Sequence, residues 1–402
     1  MNRRFLRILV LAAVLLAAIP AAWAAGINVD RLELVTHGGY SDTTGLFAMN
    51  SRLFFDMSFE GGDKFAGLLK LEFLSGSVES DLTQAGLTLA PTGTAATDIE
   101  AIIARLNAGV SPRLKTAAVT ARHLFGIPLE ATYFVGALDN IASGDDFPGL
   151  FGAAPFGTEL RGPMVYPDGV GGDSSRYYDG LDSIYGTGLK IGLVGKKSAY
   201  YLYAYQDSDL GAGNWTANLR ALFDTGSLKL ELFGGGSYAP AYSYGLWRGG
   251  LLFNYAPGKV GEFFAQIGLT RWDPNKVLGM DDFYFLFEPR LNFYPGSLAI
   301  TVFYHPTYYR EKATNEKSAL DLNVNLKLGN ISRTGSQGGV TTLLSFRPLV
   351  PGADPLTIDI SPYFSAIASG VEWNFKLDLR LFPFPANWLG LFRPYIGVKT
   401  SF

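Results

Sequence analysis

The chain has 402 residues, with 33 basic and 36 acidic side chains (formal charge -3), no Cys, 48 Gly, 29 Phe, 21 Tyr and 6 Trp. A mean hydropathy of +0.14 with 17% charged residues is too apolar for a disordered chain; the missing cysteines exclude disulfides and cysteine-held metals, and the acidic balance offers no basic face to nucleic acid. Aromatic and glycine content this high points to many strands and tight turns rather than a helical core, and the apolar faces must meet either a protein core or a bilayer.

At the N-terminus, Arg3, Arg4 and Arg7 precede an uncharged run from Ile8 to Ile19, followed by Pro20 and Ala22-Trp23-Ala24. This is the pattern of a cleaved secretory signal peptide over 1–24, since about 12 apolar residues fall short of the roughly 20 that a spanning helix needs. Loss of three arginines leaves 30 bases against 36 acids, a mature charge of -6, on a single domain, 25–402.

Beyond Ala25 the recurring signal is alternation with period two. Eighteen strands are expected, at 31–37, 46–60, 64–75, 113–122, 129–139, 180–194, 198–206, 214–223, 228–238, 245–256, 260–272, 281–293, 298–309, 317–328, 338–347, 355–367, 371–382 and 390–402. Merging one weak pair would give sixteen. In the second strand Leu53, Phe55, Met57 and Phe59 alternate with Arg52, Asp56, Ser58 and Glu60, and in the third Leu69, Leu71 and Phe73 alternate with Lys70 and Glu72.

A long insertion follows at 76–112. Thr97 with Glu100 forms a capping box, Ile99, Ile102, Ile103 and Leu106 form one apolar stripe, and Gly109 is placed to end the helix. Its stripe needs a surface to pack on, either the wall or rim of the fold or its interior.

A second insertion, 140–178, holds eight Gly and four Pro, including Asp146-Phe147-Pro148-Gly149 and Ala154-Pro155-Phe156-Gly157. Its charges are Asp145, Asp146, Glu159, Asp168 and Asp173 against Arg161 and Arg176, a net of -3. The Gly-rich, acidic stretch from Asp168 to Asp173 matches no EF-hand spacing.

Later strands separate their faces fully. Phe283, Phe285, Phe287, Leu291 and Phe293 oppose Asp282, Glu288, Arg290 and Asn292; Leu320, Leu322, Val324, Leu326 and Leu328 oppose Asp321, Asn323, Asn325 and Lys327. From Val371 to Leu381 every odd position is apolar, and the even ones are Glu372, Asn374, Lys376, Asp378 and Arg380. Apolar faces of ten or more residues suit a tilted membrane strand better than the five or six usual in a sandwich. Aromatics such as Tyr255, Trp272, Tyr294, Phe382 and Trp388 crowd the strand ends, as a girdle at a membrane interface requires. Every second connection is mostly brief and turn-rich, for example Gly61-Gly62-Asp63, Gly195-Lys196-Lys197 and Ala368-Ser369-Gly370, and the intervening ones are mostly longer.

The last segment, Leu391 to Phe402, places Phe392, Ile396, Val398 and Phe402 on one face and ends on Phe402. With the alternation and the leader, this chain resembles Gram-negative outer-membrane β-barrels of the porin type, although Thr400 stands where that terminal signal usually has an apolar residue. The resemblance implies an all-β fold, a transmembrane antiparallel up-and-down barrel. It also implies outer-membrane lipid as solvent, delivery to the barrel-assembly machinery through the C-terminal strand, small solutes as cargo, and compatibility with a homo-oligomer. By position, 140–178 resembles the third outer loop, which in classical porins folds inward and narrows the pore; an inward loop of this charge would favour cations.

On that architecture Arg52, Asp56, Glu60, Lys70, Glu72, Glu288, Arg290, Glu372, Lys376, Asp378 and Arg380 line the lumen, where opposite charges pair across strands. His37, His123 and His305 lie on three separate segments, no G-x-S-x-G is present, and Gly186-x-Gly188 lacks the third glycine of a dinucleotide site. No enzyme and no cofactor or metal are expected. The function expected is passive diffusion of small hydrophilic solutes through a pore narrowed by 140–178. The alternatives are a substrate-specific transporter, including one for apolar molecules with the helix-bearing insertion as a hatch, and an adhesin or structural barrel with a blocked lumen.

Overall fold

A computed structural model describes residues 26–41, 45–77, 110–165, 180–208, 213–239, 244–306, 318–348 and 354–400. The leader, the helix expected after Thr97, and Phe402 lie outside these residues. Eighteen strands form among them: β1 (Gly26–Ser41), β2 (Leu46–Gly61), β3 (Phe65–Ser77), β4 (Val110–Ala121), β5 (Leu129–Ile141) and β6 (Asp182–Val194). There follow β7 (Ser198–Asp207), β8 (Trp215–Asp224), β9 (Leu228–Ala239), β10 (Tyr244–Tyr255), β11 (Gly261–Trp272) and β12 (Phe283–Phe293). The last six are β13 (Gly296–Pro306), β14 (Ser318–Gly329), β15 (Ser336–Phe346), β16 (Leu356–Ala368), β17 (Val371–Phe382) and β18 (Phe392–Thr400).

Each strand pairs antiparallel with its neighbour in sequence, and β1 pairs with β18 from Leu32↔Thr400 to His37↔Tyr395, so the sheet closes on itself. The count is eighteen rather than sixteen; the first strand is longer than the 31–37 expected. Closure gives every strand a partner on each side, so the sheet has no edge strand.

Short turns and long connections segregate to opposite ends. Residues 62–64, 195–197, 225–227 and 369–370 close one end, which also holds Gly26, paired with Glu60, and Thr400, paired with Val371. One two-residue turn is built by its sequence: Ser369 (φ 54°) and Gly370 (φ 78°) are both left-handed, the geometry of a hairpin turn that follows the twist of its strands. At the other end lie 273–282 and 383–391, with the described ends of the β3–β4 and β5–β6 connections.

Alternation sorts the side chains onto two faces. In β8, Thr216, Asn218, Arg220, Leu222 and Asp224 are buried while Trp215 and Leu219 are exposed, Leu219 at 64%. In β17 the exposed positions include Trp373, Phe375 and Leu381. The outer face is thus an apolar surface, and the charged residues sit within.

Candidate functional site

The connection between β5 and β6 turns inward. Its two ends are tied where the Leu181 amide donates to the Ile141 carbonyl at 2.9 Å. The chain then enters the barrel: the Ala142 amide donates to Glu231 Oε1 on β9 at 2.6 Å, and Gln266 on β11 donates to the Ala142 carbonyl. A short helix, α1 (Asp146–Phe151), ends at Gly152, whose amide donates to the Pro148 carbonyl.

Inside, the loop makes a core of its own. Phe147 and Leu160 are fully buried, in one cluster with Phe134 of β5, Tyr203 and Tyr205 of β7, Leu222 of β8, Phe264 of β11 and Tyr284 of β12. Phe147 meets Phe156 edge-on at 5.1 Å, and Phe156 lies 6.4 Å from Phe264. Buried aromatic pairs of this kind add about 0.5–1.5 kcal/mol beyond their area.

Past this core the loop reaches the far wall. Thr158 donates its hydroxyl to Glu288 of β12 at 2.7 Å, and the Glu159 amide donates to both oxygens of that carboxylate at 3.1 Å. Thr301 and Arg290 also donate to Glu288, which is fully buried, and Arg290 donates to the Gly157 carbonyl. The Glu159 carboxylate accepts from Asn325 and Lys327 of β14, each at 3.0 Å. β14 is nine strands from β5 in a ring of eighteen, so the chain has traversed the lumen. Lys376 of β17 then donates to the Met164 carbonyl at 3.0 Å, and Met164 packs on Val35, Phe54 and Tyr395 of β1, β2 and β18.

These contacts fix the charges of the loop. Asp145 pairs with Arg161 at 2.5 Å, Asp146 with the buried Arg220, and Glu159 with Lys327. Each described acid of the loop therefore has a base beside it, while Asp168, Asp173 and Arg176 lie outside the described residues. Burial pushes the Glu159 carboxyl up, but the charges of Lys327 and Arg290 with the hydrogen bonds from Lys327 and Asn325 outweigh it, holding the group below its ordinary 4.5.

The expected lumen residues share the inner face and mostly pair there. Glu60 meets Arg122 at 2.9 Å, Glu72 meets Lys115 at 3.4 Å, Lys376 meets Asp378 at 2.8 Å, and Arg380 and Arg393 both meet Asp359 at 2.8 Å. Arg52 is buried on this face, Asp56 and Lys70 are cross-strand partners, and Glu372 accepts from Asn374. Glu288 and Arg290 do more than line the wall, since they anchor the loop.

Several anchoring residues carry no clear sequence signal. Arg220 is fully buried between Glu231 (2.6 Å) and Asp146, and Asp139 accepts from Lys190 and Tyr203, both at 2.7 Å. Arg248 bridges Asp182 at 2.6 Å and Asp207 at 3.0 Å beside the loop's return. Phe54 places an aromatic among the inward polar residues of β2, where Arg31 stacks over it at 4.4 Å. A sequence clue to the covered wall exists in strands apolar on both faces, such as Ser198–Asp207 with its run of tyrosines.

No protein-family model matches this chain, and no curated protein matches it. Among solved structures it is similar to mutants of the Rh. blastica porin, at 11% identity and TM-score 0.45, covering 94% of this chain and 100% of that one. A complex of Salmonella typhi OmpF with daunomycin is similar at 11% identity and TM-score 0.43, covering 94% of this chain and 97% of that one. In its own architecture the chain is a closed barrel of eighteen antiparallel strands, with short turns at one end and one connection inside.

Proposed function

We propose that this protein is an outer-membrane channel through which small hydrophilic solutes diffuse passively, its lumen narrowed by the loop 142–181. The observation that carries the reading is the course of that loop, which leaves β5, crosses the barrel and is anchored on β12, β14 and β17. The apolar exterior requires hydrocarbon around it, because the many large apolar side chains exposed on its strands and rims, from Ile27 to Ile396, would otherwise face water. Lined by charged and polar groups that are only partly covered, the remaining lumen can exchange a solute's hydration for wall contacts.

Residues would divide the work. Asp145, Asp146, Glu159 and Arg161, with Asp168, Asp173 and Arg176, set the field on the loop side of the constriction. Arg52, Asp56, Glu60, Lys70, Glu72, Glu372, Lys376, Asp378 and Arg380 set it on the wall, and Glu288 and Arg290 hold the loop in place. Planar-bilayer recording of refolded protein tests the reading: stable ohmic steps are expected, and silence from protein that still shows heat-modifiable gel migration would overturn it.

A further inference from the structure

Where the barrel closes, the β1–β18 ladder stops at His37↔Tyr395, yet β1 continues to Ser41 paired only with β2. Pro394, the next residue back along β18, has no N–H to donate and cannot extend the ladder. The free margin is covered from outside. A Cβ built on Gly38 would meet the ring of Phe47 at 2.9 Å and Cγ of Pro394 at 3.2 Å, so these two side chains already lie over that glycine.

The connection 383–391 folds down onto the same place. A Cβ on Gly390 would sit 3.0 Å from Pro385 and 3.9 Å from the ring of Tyr40 on β1. Tyr40 is in register with Phe47, and both alternate with the inward Glu33, Val35 and His37 or Arg52 and Phe54, so the contact is on the barrel's exterior. Trp388 packs edge-on against Phe392 at 6.1 Å. The segment from Leu381 to Phe392 has no charged residue, although it joins two strands at the end where most connections carry charge. Phe384 is 69% exposed and Trp388 66% exposed.

We propose that the β17–β18 connection is not a water-facing loop but a collar lying in the outer leaflet, its partner the lipid acyl chains, sealing the end of the β1–β18 seam. The apolar exterior of β17, through Phe375 and Leu381, runs into Phe384 without a charged residue interrupting it, so the surface is continuous with the face that meets hydrocarbon. A backbone margin left by an unfinished ladder is tolerated at membrane depth only when it is covered. This inference rests on the membrane-channel reading.

Because the chain lacks Cys, single-cysteine spin labels can be placed directly in full-length protein refolded into phosphatidylcholine vesicles. Phe384→Cys and Trp388→Cys report on the collar, Phe375→Cys on the strand exterior, and Asn275→Cys on a polar connection at the same end. The expected result is that labels at 384 and 388 collide preferentially with oxygen, as at 375, while 275 collides with a water-soluble nickel chelate. If 384 and 388 match 275 while 375 stays oxygen-rich, the collar is wrong and the membrane barrel stands; if 375 also matches 275, both readings fall. A loop that awaits a protein partner would give the first of those contrary results.

Discussion

The two arcs of the barrel wall are made of the same strands and closed by the same ladder, yet they solve different problems. From β5 to β13 the inner face is covered by the loop, and it behaves as a protein interior: Phe134, Tyr203, Phe264 and Phe303 are fully buried, and the charges among them, Arg220, Glu231 and Glu288, are buried only in mutual pairs. From β14 through β18 to β4 the loop touches the wall chiefly at Lys327, at Lys376 and at the Val35–Phe54–Tyr395 patch, and elsewhere Arg380 and Arg393 stay partly exposed while both pair with Asp359. A covered arc needs shape complementarity and full pairing; an open arc needs only wettability.

The largest effect should come from unpairing the covered arc. Arg220→Ala leaves Glu231 and Asp146 without their base, and loss of one partner of a buried pair costs roughly 3–5 kcal/mol. That loss is expected as a lower urea midpoint for refolded protein. Phe147→Ala opens a cavity at the centre of the loop core and should cost about 3–5 kcal/mol by the same measurement. If either variant unfolds like the parent, the covered arc is not a core.

Acidification gives a smaller effect of defined sign. The Glu159 carboxyl is held below its ordinary 4.5, so its contribution to anchoring is complete above that value and disappears as pH falls through the lower, folded value. Channel current should therefore stay steady from neutral pH down to the ordinary glutamate range and become noisier only beneath it. Lys327→Met removes the first of the charges that lower this value and should move the onset to higher pH. An onset unaffected by Lys327→Met would detach Glu159 from the anchor.

In the open arc, Arg380→Ala should change stability by less than about 1 kcal/mol, since a partly solvated pair is worth little. It should still move the reversal potential in a salt gradient toward cations. A large loss of stability there would erase the distinction between the arcs.

The same distinction explains what could be read from the sequence. Five of the strands with cleanly separated faces, β2, β3, β12, β14 and β17, gave the barrel, its closure and its polar lining, and all but β12 belong to the open arc. One strand under the loop, β7, is apolar on both sides, as in Tyr200, Tyr201, Leu202 and Tyr203, so period two fades there because the inner face is also buried. The position and the Pro-Phe-Gly content of 140–178 pointed to an inward loop. Its anchors were not legible, because Arg220 to Asp146 or Lys376 to Met164 are partners separated by 74 and 212 residues.

The central claim is that the loop stands in the conducting path. Ala154, exposed between α1 and the Phe156 contact, can be replaced by Cys in a chain that has none, without touching an anchor. Addition of a bulky charged thiol reagent to Ala154→Cys channels in a planar bilayer should produce a stepwise fall in single-channel current, reversed by reductant. Current that is unchanged after complete labelling would place the loop outside the path and contradict the account.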